Sequence, residues 1–572
     1  MIILGLNTHH ADSSAAIFVN GKLIAATEEE RFTRIKHWAG FPAQAIQFCL
    51  NEANTTLEAV DYITIGRDAS AKMGKKVLFA LKNIKTGKSL IQNRWENRND
   101  ITSIPEQFAT AFGCKKEMIE EKLIKVEHHR AHLASTFFAS PFDEAALLSI
   151  DGSGDFSTCM YGYGKGNKID IYDSIDYPVS LGFIYTAFTH FLGFPHYGDE
   201  YKVMGLAPYG NPTQVEKVRK LIKLEPKGKW TWDFSYFGEI KVKYENNQPV
   251  VPSFFTEKFE ALFGKPRQKE EELTQYHKDL AKSVQQVTEE IIFHMASYLQ
   301  KKTGSKNLCI AGGVAQNSVA NGKIIANTEF DNLYIPSAGH DAGISMGSAL
   351  YHYNHVLDIK RAEPILSAST GAKFDNEQIE NYLNEIGVAY KRIDDDDELF
   401  DYLVAKLIEP AVVGWFQGRA EFGPRALGNR SIIADPRNPK AKELLNLKIK
   451  RRESFRPFAP SILKEYVPEY FEYTEDVPFM EKVFPIKPEK HKLIPAVTHV
   501  DGTGRLQSVD KNTSPRYYGL IEKFGKKTGV PILLNTSFNE NEPIVNTPAE
   551  AYACFARTQM DVLVMENILV ER

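Results

Sequence analysis

The stretch "KVEHHRAHLAS", residues 125–135, sets three histidines within five positions. Residues four apart share one face of a helix, so His128 and His132 would point together while His129 projects elsewhere. Two imidazoles on one helical face make a metal half-site of a kind that helices often provide. The same spacing also suits a polar helix turn that holds no ligand. A second chemical signal lies far downstream. Between Arg419 and Arg456 the chain carries seven arginines and four lysines against four acids, interleaved with aromatic, glycine and proline residues. A solvated basic face needs none of that company. The pattern points to a pocket for a polyanion, whether phosphate, triphosphate or RNA.

The elements that would position these groups repeat. "IILGLN" (2–7), "SSAAIFV" (13–19) and "KLIAATEEE" (22–30) read as three strands, the last two joined by Asn20-Gly21, the strongest short hairpin signal. A helical run, "PAQAIQFCLNEA", follows. The pattern returns with "AALLSI" (145–150), the polar turn Asp151-Gly-Ser-Gly-Asp155, "STCMYGYG" and "KIDIYDS". Two similar halves, each with a polar turn after its first strand, resemble the actin, sugar-kinase and Hsp70 ATPase architecture, in which the two turns hold a nucleotide's phosphates. The strand-loop-helix "NLCIAGGVAQNSVANGKII" (307–325) supplies the glycine pair such folds use beside the adenosine. Periodicity is lost over 352–375, which reads as a domain junction. Asp394 to Asp397 read as a solvated helix start, since acids favour that end of the helix dipole.

Composition bounds the answer. A chain of 572 residues suits two to four domains. With 43% hydrophobic and 25% charged residues it fits the soluble globular class. A formal net charge of −4 supports neither a nucleic-acid nor an anionic-membrane partner, and it favours a small ligand for the basic pocket. Cys49, Cys114, Cys159, Cys309 and Cys554 show no CxxC spacing, which fits a reducing cytoplasm. "MIILGLN" enters a strand without a basic n-region, and no apolar run nears the roughly 18 residues of a membrane span. A cytoplasmic enzyme is expected.

"EEERFTRIKH" (28–37), "HHRAH" (128–132), "GDEYKVMGLAPYG" (198–210), "LCIAGGVAQNSVANG" (308–322) and "SAGHDAGISMGSAL" (337–350) together resemble the nodulation-factor and antibiotic O-carbamoyltransferases. So do "GWFQGRAEFGPRALGNRSIIADPR" (414–437), "ESFRPFAP" (453–460), "THVDGTGRLQSV" (498–509) and "VPILLNTSFNENEPIV" (530–545). The blocks run in order over nearly the whole chain. The resemblance implies an α/β protein of two parts. One is a duplicated actin/sugar-kinase-like (ribonuclease H-type) domain over 1–355, similar to tRNA threonylcarbamoyl-transfer proteins. The other is a YrdC-like α/β domain over 370–572. In such enzymes carbamoyl phosphate and ATP, with Mg2+, give carbamoyl-AMP in the second domain. The carbamoyl group then moves to a hydroxyl of a small acceptor in the first, with a divalent metal nearby. A homodimer is allowed.

Residue by residue, the resemblance implies His128, His132, Asp151 and Asp341 as metal ligands, a set that suits Fe2+ first, with Mn or Zn as alternatives. Gly152, Ser153, Gly182, Gly312, Gly313 and Asn317 would bind the adenylate, with Lys36 and Lys202 as catalytic cations. The family's His-Asp-x-Ser is here His9-His10-Ala11-Asp12-Ser13-Ser14, one residue longer, and His10 is taken as general base with His9 as the alternative. Arg425, Lys450, Arg456 and Arg505 would contact carbamoyl phosphate and triphosphate. Asn535, Thr536, Ser537 and Asn539 would form an anion cradle. Arg419, Arg430 and Arg452 are either anion contacts or buttresses. A tRNA-modifying threonylcarbamoyl transferase would want a basic surface that the composition lacks, and a chaperone-like ATPase would need neither pocket.

Overall fold

The computed structural model describes residues 1–82 and 103–572. They form two compact units, Met1–Gln316 with Ile324–Ile365, and Asn317–Lys323 with Leu366–Arg572.

The first unit is built twice over. Its first sheet takes β1 (Ile2–Asn7), β2 (Ser14–Val19), β3 (Lys22–Glu28), β4 (Tyr62–Ile65) and β5 (Leu123–Lys125) in the order β3-β2-β1-β4-β5. The first three pair antiparallel, while β1, β4 and β5 run parallel. The second takes β6 (Glu144–Gly154), β7 (Ser157–Lys165), β8 (Lys168–Asp176), β9 (Asn307–Ala311) and β10 (Asn332–Tyr334) in the order β8-β7-β6-β9-β10, with the same directions. Equal order and equal sense in both sheets make this the duplicated actin-like arrangement that the sequence repeat implies. Apolar residues run unbroken along β1, β2 and β6 because both faces of these central strands are buried. Helix α1 (Ala43–Glu52) covers the first sheet with Ala45, Ile46, Cys49 and Leu50.

Helices α2 (His128–Phe137), α3 (Leu181–Phe191) and α4 (Ile344–Leu350) carry or abut the chemistry. Small residues let α4 approach closely. Ser14 Oγ donates to Ala342 O over 2.7 Å and lies 2.9 Å from Ser345 Oγ, while Thr64 and Ser348 share a 2.9 Å hydroxyl bond. A Cβ on Gly347 would run into the Ala131 carbonyl of α2, and one on Gly5 into the Ser345 carbonyl. So α4 is pressed between the first sheet and the histidine helix, and the turn at its head, Asp341–Gly343, has one place to go.

The second unit is an α/β layer structure around one eight-stranded sheet. Its strands are β11 (Lys391–Arg392), β12 (Val413–Phe416), β13 (Arg430–Ala434), β14 (Ala459–Leu463), β15 (Gln507–Val509), β16 (Ile532–Ser537), β17 (Val562–Met565) and β18 (Ile568–Glu571). Their order is β11-β18-β17-β12-β13-β16-β14-β15, with β12–β17 and β14–β15 parallel and the other pairs antiparallel. Side chains alternate between two cores: Phe416, Ile432, Leu534 and Leu563 enter one, Trp415, Ile433, Leu533 and Val564 the other. Helices Asn376–Glu385 and Pro548–Arg557 close the first core, Asp396–Ile408 and Pro515–Thr528 the second. The acidic run 394–397 is indeed a helix start, where Asp395 accepts from the Glu398 amide at 2.9 Å.

Because α4 has no slack, Gly347→Val should destabilise the protein by about 1–3 kcal/mol, the usual cost of overpacking. Denaturant unfolding checks this. A variant as stable as wild type would contradict the packing described.

Candidate metal and anion sites

His128, His132, Asp151 and Asp341 are all buried, and one ligand atom from each lies within 4.8 Å of the others. His128 Nε2 stands 3.0 Å from Asp151 Oδ2 and 3.7 Å from Asp341 Oδ1. His132 Nε2 stands 3.7 Å and 3.3 Å from the same two oxygens. Neither His132 Nε2 nor Asp341 Oδ1 makes a well-formed hydrogen bond, although both are buried. Buried polar atoms left in this way carry a cost that a cation between them would remove. Burial works against charge on both carboxylates, yet the two imidazoles hold Asp151 well below the usual carboxylate range, and His10 with His132 hold Asp341 low despite repulsion from Asp151. Burial likewise opposes charge on His132, but the two carboxylates raise it to about 9. Two imidazole nitrogens and two carboxylate oxygens fit a divalent first-row metal, and among the described residues no thiolate joins them. His129 turns away, its Nδ1 2.7 Å from Ser149 Oγ, where burial keeps it neutral.

The irregular end of β6, after Ile150, explains how the ligands are held. Asp151 Oδ1 accepts from the Gly313 amide at 2.9 Å, so this glycine serves the aspartate directly. Gly312, at φ +102°, packs where a Cβ would strike the Ile150 carbonyl. Gly182 lies so near Gly152 that a Cβ would come within 3.0 Å of its backbone, and Ser180 caps α3 while donating to the Gly152 carbonyl at 2.7 Å. Ser153 is half-buried beside them. A Cβ on Gly154 would enter the His128 ring. Asp155 Oδ2 accepts from the His128 amide at 2.9 Å and fixes the start of α2. Asn317 lies with the second unit and caps Ser318–Asn327, its Oδ1 accepting from the Ala320 amide at 3.1 Å.

At the first turn His10 Nδ1 is 2.6 Å from Asp341 Oδ2, and its ring lies 5.1 Å from that of His128. His9 is directed elsewhere, its Nε2 2.9 Å from Gln107 Oε1. Lys36 is half-buried, and its carbonyl accepts from Gln248. Lys202 pairs with Asp199 at 2.9 Å. Sequence reasoning passed over two neighbours. His37 Nδ1 lies 2.8 Å from Asp12 Oδ1, and Tyr197 sets its ring edge on His37 at 5.2 Å. Burial, followed by the charges of Asp341, Asp12 and Asp151, pushes the Tyr197 phenol well above its usual value. The one available signal for His37 was its position at the end of "EEERFTRIKH"; nothing in the pattern marked Tyr197.

In the second unit, burial and then the guanidiniums of Arg425, Arg452 and Arg456 push Arg505 well below the usual arginine value, and its Nε is buried without a hydrogen bond. Like charges gathered in this way suit a polyanion. The loop bearing Arg425 wraps Glu421, whose Oε1 accepts from the Leu427 and Asn429 amides at 2.6 and 2.8 Å. Asn535 does not offer its amide to an anion; it is buried and donates to Ala426 O, Ser461 Oγ and Gln507 Oε1. Lys450 is buried too, and donates to Ser537 O, Asn539 O and Asn539 Oδ1 at 2.5, 2.6 and 2.7 Å. It and Asn539 stitch the loop instead of facing a phosphate. Thr536 pairs with Ile432 in the sheet, and Ser537 donates to Asn539. Arg430 and Arg419 buttress: both donate to backbone carbonyls, Arg430 with its guanidinium 3.6 Å from the Phe416 ring centre.

His132→Ala should leave the purified protein without its divalent metal, and Gly154→Val should lower metal content by displacing His128. Elemental analysis reads both; full loading of either variant would remove the cluster from consideration as a metal centre.

The family profile described as the carbamoyltransferase N-terminus matches residues 2–350, and that of the carbamoyltransferase C-terminus matches 404–572. Nodulation protein NolNO of Sinorhizobium fredii is 36% identical over 99% of this chain and 80% of its own. Nodulation protein NolO of Bradyrhizobium diazoefficiens is 38% identical over 78% of this chain and 79% of its own. An uncharacterized protein of Synechocystis, sll1178, is 40% identical over all of this chain and 96% of its own. Among the described residues no helix is long and apolar enough to cross a membrane. With both family profiles matched in order along the chain, it belongs to the carbamoyltransferase family.

Proposed function

We propose that the chain makes carbamoyl-AMP from carbamoyl phosphate and ATP in the second unit, and transfers the carbamoyl group to a hydroxyl of a small metabolite or glycan in the first. The observation that carries this reading is the crowding of Arg505 by Arg425, Arg452 and Arg456, a charge arrangement that an anion as dense as a triphosphate relieves. Forked guanidiniums orient phosphate oxygens and offset the charge that gathers on departing pyrophosphate. Glu421 and Asn535 hold the loop that aims Arg425.

In the first unit, His128, His132, Asp151 and Asp341 would hold a divalent ion, Fe2+ before Mn or Zn, which when bound polarises a carbonyl or phosphate oxygen as a Lewis acid. Asp155 and Gly313 keep His128 and Asp151 in register with it. The glycines at 182 and 312 let the backbone around Asp151 pack closely, and with Gly152 they would line the adenylate's site. A glycan-like or an antibiotic-like alcohol suits this chemistry as the acceptor.

The two sites should fail separately. With carbamoyl phosphate present, Arg505→Ala should lose exchange of pyrophosphate into ATP while keeping its metal. Asp341→Asn should retain the exchange and lose carbamoylation across a panel of hydroxylated metabolites. Equal loss of exchange in both variants would point to one shared site and overturn the division.

A further inference from the structure

The first unit carries two imidazole–carboxylate pairs, and they differ in what their carboxylates do. In His10–Asp341 the carboxylate belongs to the four-residue cluster, so the imidazole is committed to orienting a ligand. In His37–Asp12 the carboxylate stands outside that set. Asp12 Oδ1 holds His37 Nδ1 at 2.8 Å, Glu30 Oε2 accepts from the His37 amide at 2.9 Å, and Tyr197 backs the ring. Among the described residues no group takes His37 Nε2, and the side chain is 33% exposed. The pair borders the cluster, since Asp12 Oδ2 is 3.9 Å from Nε2 of His340, the neighbour of Asp341. Gly198 lies against Nε2, where a Cβ would come within 2.6 Å.

We propose that His37, held by Asp12, accepts the proton of the acceptor hydroxyl, and that His10 is a positioning residue for Asp341; this rests on the carbamoyl-transfer reading above. Asp12 fixes the tautomer with the proton on Nδ1, which leaves the lone pair on Nε2. The hydroxyl oxygen bonds to the carbamoyl carbon while its proton passes to Nε2. The bond from that carbon to the adenylate's phosphate oxygen breaks, AMP leaves with that electron pair, and His37 returns its proton to solvent. The groups facing His37 are Asp12 from the first turn, Glu30 and Lys36 from its own segment, Tyr197 from the loop opposite and Glu200 at the start of the helix that follows that loop. Burial opposes charge on His37, but Asp12 and Glu30 outweigh it and raise the imidazole to about 9. Since the neutral form is the base, the rate of transfer rises with pH through about 9.

The test uses the full chain with carbamoyl phosphate and ATP, and compares glycerol with hydroxylamine as acceptors. Hydroxylamine needs no proton removed before it attacks. His37→Gln should cut glycerol carbamoylation by about a hundredfold or more, cut hydroxyurea formation far less, and keep full metal content and pyrophosphate exchange. Asp12→Asn should lower the plateau rate and move the rising limb to lower pH, because the carboxylate that raises His37 is gone. An equal fall for both acceptors, loss of metal from His37→Gln, an unmoved limb, or wild type that makes hydroxyurea but no glycerol carbamate would overturn the assignment. Wild type that carbamoylates neither would overturn the carbamoyl-transfer reading itself.

Discussion

Two buried carboxylates that repel one another, Asp151 and Asp341, are the constraint around which the first unit is arranged. Asp151 lies near the end of β6, and Asp341 stands in the turn at the head of α4, which packs on the first sheet. Bringing like charges together away from water costs several kcal/mol unless opposite charge stands between them. Protonated His132 supplies part of that, while burial keeps His128 neutral, and a divalent cation would supply the rest. Much of the surrounding geometry serves this convergence. The small-residue packing of α4 sets Asp341, the Gly313 amide sets Asp151, and Asp155 with Gly154 sets the histidine helix.

The second unit has the opposite imbalance. Its loops gather guanidiniums and leave one of them, Arg505, with like charges as neighbours. Each unit therefore stores an unfavourable charge arrangement that a ligand of the other sign relieves, a cation in the first and a polyanion in the second. Sites of this kind give up stability for preorganisation, because the charges are already in place when the reaction needs them. The buttressing arginines make the contrast plain. Arg430 is fully buried. Its two terminal nitrogens donate to four carbonyl oxygens while the guanidinium lies over an aromatic face, so its charge is met by carbonyl dipoles and a ring instead of by like charges.

The duplicated sheets were legible in the sequence because strand, polar turn and strand recur with the same turn chemistry, and because Asn20-Gly21 marks a hairpin. The His128–His132 pair was legible because helical spacing alone aligns it. The aspartates were not, since 23 residues separate His128 from Asp151, and tertiary packing alone joins Asp341 to them; family resemblance supplied what spacing could not. Lys450 shows the limit of residue type. A lysine among arginines reads as a phosphate contact, but where its ammonium lies depends on the loop at 537–539, which folds over it. His37 was hidden for a similar reason. Its partner Asp12 lies 25 residues away across a left-handed turn, and only the folded first sheet brings the two within hydrogen-bond distance.

The claim that the cluster of the first unit is a metal centre can be tested most directly by anomalous X-ray scattering at the metal's absorption edge, on crystals of the metal-loaded protein. The account predicts one strong peak among His128, His132, Asp151 and Asp341, at about 2.0–2.2 Å from the ligand atoms. Absence of a peak there, with His128 still held to Asp151 and the other ligand atoms still facing one another, would contradict it.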